Sequence, residues 1–365
     1  MIAKLKVDQF THPTEFWHRL PDGRVQCDLC PRACKLREGQ RGFCFVRANS
    51  GGKVVLTTYG RSSGFCIDPI EKKPLNHFHP GTPVFSFGTA GCNLACRFCQ
   101  NWDISKSRSI DTLADQASPE AIASTAADHG CRSVAFTYND PVIFHEYAQD
   151  VAEACHQRGL LTVAVTANYL TEQARESFYS GIDAANVDLK AFTDGFYRRL
   201  TGARLQPVLE NLEWLVRETD VWVELTTLLI PGENDSEPEI TSMCEWVMQH
   251  LGSQVPMHFT AFHPDYLMRD VPPTPLSTLR MARRIAMETG IHFVYTGNAY
   301  DPEGQATYCP GCGEILIGRC GYGITEWNIG ADGRCQLCGN RPAGHFDARP
   351  GHWGSRRLPV RMAPF

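Results

Sequence analysis

The chain lacks any apolar run long enough to cross a membrane. Its first residues, MIAKLKVDQFTHPTEFW, also lack the continuous apolar core of a secretion signal. The sequence has no surplus of positive charge: 35 Lys and Arg stand against 40 Asp and Glu, for a formal net charge of −5. That removes the global basic field on which non-specific nucleic-acid binding depends. No Ser-His-Asp or paired-carboxylate arrangement suggests acyl transfer or glycoside chemistry. The absence of export and membrane signals points to the cytoplasm, with no membrane partner. The balance of 43% hydrophobic and 21% charged residues is ordinary for a globular protein. A length of 365 residues suits one large domain with appendages.

Cysteine is not scarce. Sixteen cysteines in a chain without an export signal argue for metal ligation over disulfides. The central group lies in SFGTAGCNLACRFCQNW, where Cys92, Cys96 and Cys99 follow a Cys-x3-Cys-x2-Cys spacing just after an apolar run. Iron–sulfur clusters are held by thiolates, and a cubane normally uses four. Three ligands without a fourth in the same loop leave one iron open to a non-protein ligand, the mark of a site that does chemistry. The competing reading is a structural zinc knuckle or chance clustering.

Two further groups flank this one. Cys27, Cys30, Cys34 and Cys44 lie in CDLCPRACKLREGQRGFC, a stretch punctuated by Pro31, Gly39 and Gly42. These four thiolates suit either one ion or one cluster, and sequence does not separate zinc from iron. Toward the C-terminus, Cys309/Cys312 and Cys335/Cys338 form two Cys-x2-Cys knuckles, each followed by glycine. That spacing suits a zinc ribbon or rubredoxin-like module with a closed, structural four-thiolate site, serving to dock a partner or shield an active site. Of the others (Cys66, Cys131, Cys155, Cys244, Cys320), Cys131, Cys155 and Cys244 lie within regular elements and read as buried, inert residues.

Residues 53–59 (KVVLTTY) read as a strand, and His77 and His79 beyond it as part of a polar loop. From Pro83 to about Asn298, apolar β-branched runs recur at 83–89, 133–138, 160–166, 183–189, 221–230, 257–262 and 291–297. Helix-like stretches separate most of them: one begins at Ser118-Pro119-Glu120, a capping residue followed by proline, and the others are 141–157, 171–179, 207–218, 236–250 and 275–288. Such alternation predicts an α/β fold with a parallel sheet, closed completely or partly into a (β/α) barrel. Three units follow: an N-terminal cysteine-containing segment (1–60), a barrel (61–300) and a ribbon-like module (301–365). Barrel sites lie at the C-terminal ends of strands, where the first strand feeds the cysteine loop.

The Cys92/Cys96/Cys99 spacing, with Phe98 before the third cysteine, resembles the signature of radical S-adenosylmethionine (SAM) enzymes. The runs DPIEKKPLNHFHPGTPVFSFGTAGCNLACRFCQNWDIS, FTYNDP, NVDLKAF, LLIPGENDS, FTAFHPDY and VYTGN resemble the radical SAM component of the AmmeMemoRadiSam system, a group related to pyruvate formate-lyase activating enzymes. The resemblance spans essentially the whole chain. It implies a barrel of the radical SAM type and a 4Fe–4S cluster on Cys92, Cys96 and Cys99. It further implies SAM on the open iron, cleaved to a 5′-deoxyadenosyl radical, and an electron donor of flavodoxin or ferredoxin type. In place of the family's Gly-Gly-Glu turn this chain has Thr137-Tyr138-Asn139-Asp140-Pro141, whose shorter carboxylate and carbonyls are positioned for the SAM amino group. Asn168, Asp188, Lys190 and His263 are implied as SAM contacts: Asn168 toward carboxylate or ribose, Asp188 toward ribose hydroxyls, Lys190 toward the carboxylate. Phe98 and Tyr295 suit either adenine stacking or the core.

The implied function is hydrogen-atom abstraction from a substrate, small or macromolecular, that sequence leaves unidentified. Alternatives are a glycyl-radical activase acting on a partner protein, a nucleic-acid- or nucleotide-modifying enzyme, and a non-catalytic iron–sulfur carrier.

Overall fold

The computed structural model describes residues 7–108, 113 and 115–362. Its frame is a nine-stranded sheet. We number its strands β1 (Phe65–Pro69), β2 (Pro83–Phe87), β3 (Ser133–Phe136), β4 (Leu161–Thr166), β5 (Ala184–Asp188), β6 (Trp222–Leu229), β7 (Met257–Ala261), β8 (Val294–Gly297) and β9 (Leu358–Val360). The spatial order is β8-β7-β6-β5-β4-β3-β2-β1-β9. Strands β2 to β8 are parallel, sequential neighbours. β1 and β9 add antiparallel at one edge. All seven apolar runs of the sequence are therefore parallel strands. Among the described residues β8 does not pair with β9, so the barrel is partial.

The strands are buried along nearly their whole length, as in β2, where Val84, Phe85, Ser86 and Phe87 are all buried. A parallel sheet covered on both faces requires such continuous apolar runs. Six helices cover it: α1 (Pro119–Asp128), α2 (His145–His156), α3 (Glu172–Tyr179), α4 (Gln206–Glu218), α5 (Glu237–His250) and α6 (Leu276–Thr289). α1 starts as expected, with the Ser118 hydroxyl accepting from the Ala121 N–H and Pro119 at the first helical position. In α4, Val208, Asn211, Leu212 and Leu215 recur at three and four residues and form the buried stripe.

The N-terminal segment forms two small antiparallel sheets, Trp17–Arg19/Val25–Cys27/Lys35–Leu36 and His12–Pro13/Lys53–Leu56/Arg47–Ser50. The strand expected over 53–59 stops at Leu56, because Thr57 and Tyr59 turn their N–H groups to the carbonyls of Val46 and Phe10. Buried Arg47 docks this segment onto the barrel: its guanidinium pairs with Glu146 of α2, and Nε donates to the Ile143 carbonyl at 3.0 Å.

The C-terminal residues pack against the barrel, and Tyr322 and Arg357 among them reach the cavity lined by the cysteine loop. Three short strands (Thr307–Tyr308, Ile315–Cys320, Gly323–Trp327) pair in order and enclose Leu316, Ile317 and Ile329. Arg319 reaches from them into the barrel, donating to the Thr307 hydroxyl at 2.7 Å and the Asn76 carbonyl at 2.8 Å. The chain then runs past Gly81 and ends as β9 in the main sheet. Cys131, Cys155 and Cys244 are buried, as expected.

Candidate active site

The C-terminal ends of the parallel strands surround a cavity of about 860 Å³. Cys92, Cys96 and Cys99 line it together with Tyr138, Asp188 and Lys190. Tight backbone packing carries the chain from β2 into the cysteine loop. A side chain on Gly88 would collide with the Thr137 carbonyl and the Asn139 amide, so the end of β2 lies directly against the turn after β3. Asn139 then ties the two together: its Oδ1 accepts from the Thr89 N–H at 3.1 Å, and its Nδ2 donates to the Gly91 carbonyl at 2.8 Å. Further along the loop, Asn93 donates to the Tyr169 carbonyl at 2.9 Å, and the N–H groups of Ala95 and Arg97 donate to Thr201 and Leu200. The loop is thus anchored on three sides before any metal is bound.

Burial pushes the Cys92 thiol up to about 12 and raises that of Cys96, although Lys190 and Lys106 act the other way. Among the described residues, Cys309, Cys312, Cys335 and Cys338 form the only group of three or more potential ligands whose ligand atoms all lie within 4.8 Å. Cys92, Cys96 and Cys99 are spread more widely around one cavity. That arrangement fits a multi-iron cluster better than a single ion, because a cluster separates its thiolates.

The expected contact residues divide. Lys190 Nζ lies 2.8 Å from Asp188 Oδ2, and both line the cavity. Burial works against the Lys190 ammonium, but Asp188 and Cys96 hold it above the ordinary lysine range. The Tyr197 hydroxyl accepts from the Lys190 N–H and Asn234 donates to its carbonyl, fixing the backbone. Phe98 lines the cavity with its ring centroid 5.6 Å from that of Phe196 and 6.0 Å from Lys190 Nζ. Tyr138 has φ +69° and donates from its hydroxyl to Asp68 at 2.8 Å.

Asp140 borders the cavity, yet its carboxylate is engaged within the fold. It accepts from the Val142 N–H, the Thr166 hydroxyl at 3.0 Å and the Ala167 N–H. Burial pushes the carboxyl up to about 6 against those hydrogen bonds. Asn168 and His263 are not among the residues lining the cavity. Asn168 is buried with its Oδ1 accepting from the Tyr179 hydroxyl at 2.8 Å, and His263 is exposed. Tyr295 lies in the barrel floor, with its hydroxyl between His77 and Thr307.

The other cysteine groups form two separate sites. Cys27, Cys30, Cys34 and Cys44 line a small, almost wholly apolar cavity whose wall includes Asn93, next to Cys92. Cys309 and Cys338 bring their sulfurs to 3.5 Å, and Cys312 and Cys335 to 3.9 Å.

A family model for the radical SAM superfamily matches residues 87–243, which run from the last residue of β2 through the cysteine loop into α5. An uncharacterized protein of Methanocaldococcus jannaschii is 39% identical over 327 residues, covering 89% of this chain and 97% of that protein. The chain belongs to the radical SAM superfamily. A probable GTP 3′,8-cyclase of Methanosarcina mazei is 29% identical over 218 residues, 58% of this chain and 61% of that one. The benzylsuccinate synthase activating enzyme of Thauera aromatica is 29% identical over 132 residues, 36% of this chain and 39% of that one. The chain thus spans less than two thirds of these two relatives. It is a radical SAM enzyme, a family that implies a 4Fe–4S cluster and SAM, and one four-cysteine group has the geometry to bind a metal. Among the described residues, no helix is long and apolar enough to cross a membrane.

The cavity at the strand ends also has a wall that sequence reasoning missed. Asp68 of β1 accepts from Lys72 at 2.8 Å, from Lys73 at 2.7 Å and from Tyr138, while Arg357 Nε lies 3.4 Å from Cys66 Sγ. Burial brings Lys73 down to about 8 despite Asp68. The run DPIEKKP hinted at the Asp68–Lys72 pair, which lies four residues apart. Asp68 is set by the antiparallel pairing of β1 with β2, while Arg357 enters the cavity beside β9, nearly 300 residues away in sequence, which no local pattern reveals.

Proposed function

We propose that Cys92, Cys96 and Cys99 hold a 4Fe–4S cluster with one open iron, and that SAM binds there against Asp188 and Lys190. The observation that carries this reading is the opening of the three thiols and the Asp188–Lys190 pair onto one cavity at the strand ends. A reduced cluster held by Cys92, Cys96 and Cys99 would supply the one-electron chemistry that cleaves the SAM sulfonium to methionine and a 5′-deoxyadenosyl radical. The chain's own residues bind and orient. The Lys190 ammonium has the charge to pair with the methionyl carboxylate, and Asp188 accepts from ribose hydroxyls. Carbonyls of the Thr137–Asp140 turn receive the amino group, since the Asp140 carboxylate is already engaged. Phe98 packs beneath the lysine, and the cavity walls exclude water from the radical.

The chemistry so supplied would be hydrogen-atom abstraction from a substrate held in the cavity, with the electron drawn from a flavodoxin- or ferredoxin-type protein of the cytoplasm. The motif resemblance favours the AmmeMemoRadiSam group. A second reading, activation of a glycyl-radical protein, draws on the relative named as an activating enzyme. At the C-terminal site we propose one zinc ion: a tetrahedral ion with metal–sulfur bonds of about 2.3 Å places its sulfurs about 3.8 Å apart, close to the observed 3.5 and 3.9 Å.

Anaerobic incubation of the reduced protein with SAM tests the main reading. We expect 5′-deoxyadenosine from the wild-type chain and none from the Cys92/Cys96/Cys99→Ala variant. Equal formation by both would refute the assignment.

A further inference from the structure

We infer that Cys27, Cys30, Cys34 and Cys44 bind a second iron–sulfur cluster of the 4Fe–4S class, fully ligated by protein and set against the loop that carries Cys92. All four cysteines line a single enclosed cavity with scarcely any polar surface. Like Cys92, Cys96 and Cys99, and unlike the C-terminal quartet, no three of them bring their sulfurs within 4.8 Å of one another. A single ion requires sulfurs about 3.8 Å apart, whereas a cubane holds them at the corners of a larger body. The four sulfurs face one cavity without closing on a single point as the C-terminal quartet does, and that spread suits a cluster.

The backbone is arranged for thiolates. The Phe43 N–H points at Cys34 Sγ at 3.5 Å. The N–H groups of Leu29, Arg32 and Arg47 point at Cys27, Cys30 and Cys44 in turn. Hydrogen bonds of this kind stabilise and tune cluster sulfurs. Gly42 lies beside the sulfurs of Cys34 and Cys44, at van der Waals distance from both. Arg47 borders the cavity with a buried guanidinium, giving the anionic sulfurs a fixed positive neighbour.

The two cysteine sites share a wall. Asn93 lines the N-terminal cavity, its carbonyl accepts from Arg32 Nε, and a side chain on Gly91 would strike the Cys44 carbonyl. Clusters held on either side of this shared wall are expected to show coupling between their unpaired spins.

Iron, sulfide and zinc counts on anaerobically prepared full-length protein, together with electron paramagnetic resonance after dithionite reduction, test the inference. Wild type should carry roughly eight irons and one zinc, with a signal broadened by coupling between clusters. The Cys92/Cys96/Cys99→Ala variant should keep about four irons and a simple signal insensitive to SAM. The milder Cys34→Ser change should lower iron content and remove the coupling while 5′-deoxyadenosine formation from photochemically reduced protein persists. Two zinc ions and no iron in the triple variant would overturn the inference, as would about four irons in wild type. Neither result touches the SAM-cleaving assignment, which is read on the wild-type protein's products.

Discussion

Gly91 lies against the carbonyl oxygen of Cys44, with no room between them for a side chain. Gly91 also has φ +83°, a conformation that other residues adopt only with strain. The contact joins the loop of Cys92 to the N-terminal cysteine segment, so Gly91→Ala should both misplace Cys92 and separate the segments. Gly130→Ala is the control: its φ is +68° but nothing lies within 4 Å, so only the backbone preference of about 1 kcal/mol is lost. Thermal unfolding should show Gly91→Ala lowered well beyond Gly130→Ala, with iron reduced only in the former. Equal shifts and full iron in both would show that the packing at Gly91 is readily relieved.

Lys190 and Asp188 form an ion pair at the cavity wall, and the three thiols sit on a different element. Lys190→Ala and Asp188→Asn should therefore weaken SAM binding without emptying the iron site. Losing one charged contact should cost roughly 1.5–3 kcal/mol, or about ten- to a hundred-fold in Kd. Equilibrium dialysis beside iron analysis checks it. Unchanged affinity with full iron would make the pair structural; lost iron with unfolding would make it a buried support of the barrel.

Arg319 is buried beside Glu71, with 4.0 Å between its Nε and the carboxylate, and it satisfies the carbonyls of Asn76 and Gln305. Burial pushes the Glu71 carboxyl up to about 7, and Arg319 opposes that shift. Arg319→Ala should destabilise the fold by roughly 3–5 kcal/mol, because it strands an acid and two carbonyls away from water. Glu71→Gln added to that background should recover part of the loss. Denaturant midpoints of the single and double variants measure this; a double variant no more stable than the single would place the damage in the carbonyls alone.

The parallel strands were legible because burial on both faces turns each into an uninterrupted apolar run, as at 83–87 and 257–261. That Cys92, Cys96 and Cys99 face one cavity was legible from their close spacing just after an apolar strand. Asp188 and Lys190 came from the family resemblance, and the two-residue period of a strand accounts only for their facing the same side. Asp140 was less transparent: a carboxylate at a strand end can meet a ligand or cap a turn, and here Val142, Thr166 and Ala167 occupy it. Asn168 and His263 sit at similar strand ends, but side-chain direction there depends on backbone angles, such as φ +53° at Asn168, which spacing does not encode. The return of β9 to β1, and with it the Cys66–Arg357 contact, is a long-range pairing with no local signature.

His77 sits in a directed chain of hydrogen bonds in the barrel floor. Its Nδ1 lies 2.7 Å from the Ala343 carbonyl, which can only accept, so Nδ1 carries the proton and Nε2 accepts from the Tyr295 hydroxyl at 2.5 Å. Tyr295 in turn accepts from Thr307, whose oxygen accepts from Arg319. A second proton on Nε2 would oppose Tyr295 and disrupt the whole chain. Burial accordingly brings His77 down to about 4, although Glu224 favours the charged form. The unfolded chain takes up this proton near pH 6.5 while the folded chain does not, so stability is complete above pH 6.5 and falls as pH drops toward 4. The loss between pH 7 and 5 should be about 2 kcal/mol from this residue. Glu71 contributes with the opposite sign, since its raised carboxyl favours the folded state at lower pH, but it is present in both proteins compared. Denaturant unfolding of wild type and His77→Gln at pH 7, 6 and 5 checks the sign. The variant should be weaker at pH 7, yet lose less on acidification. Parallel curves would assign the acid sensitivity to other groups.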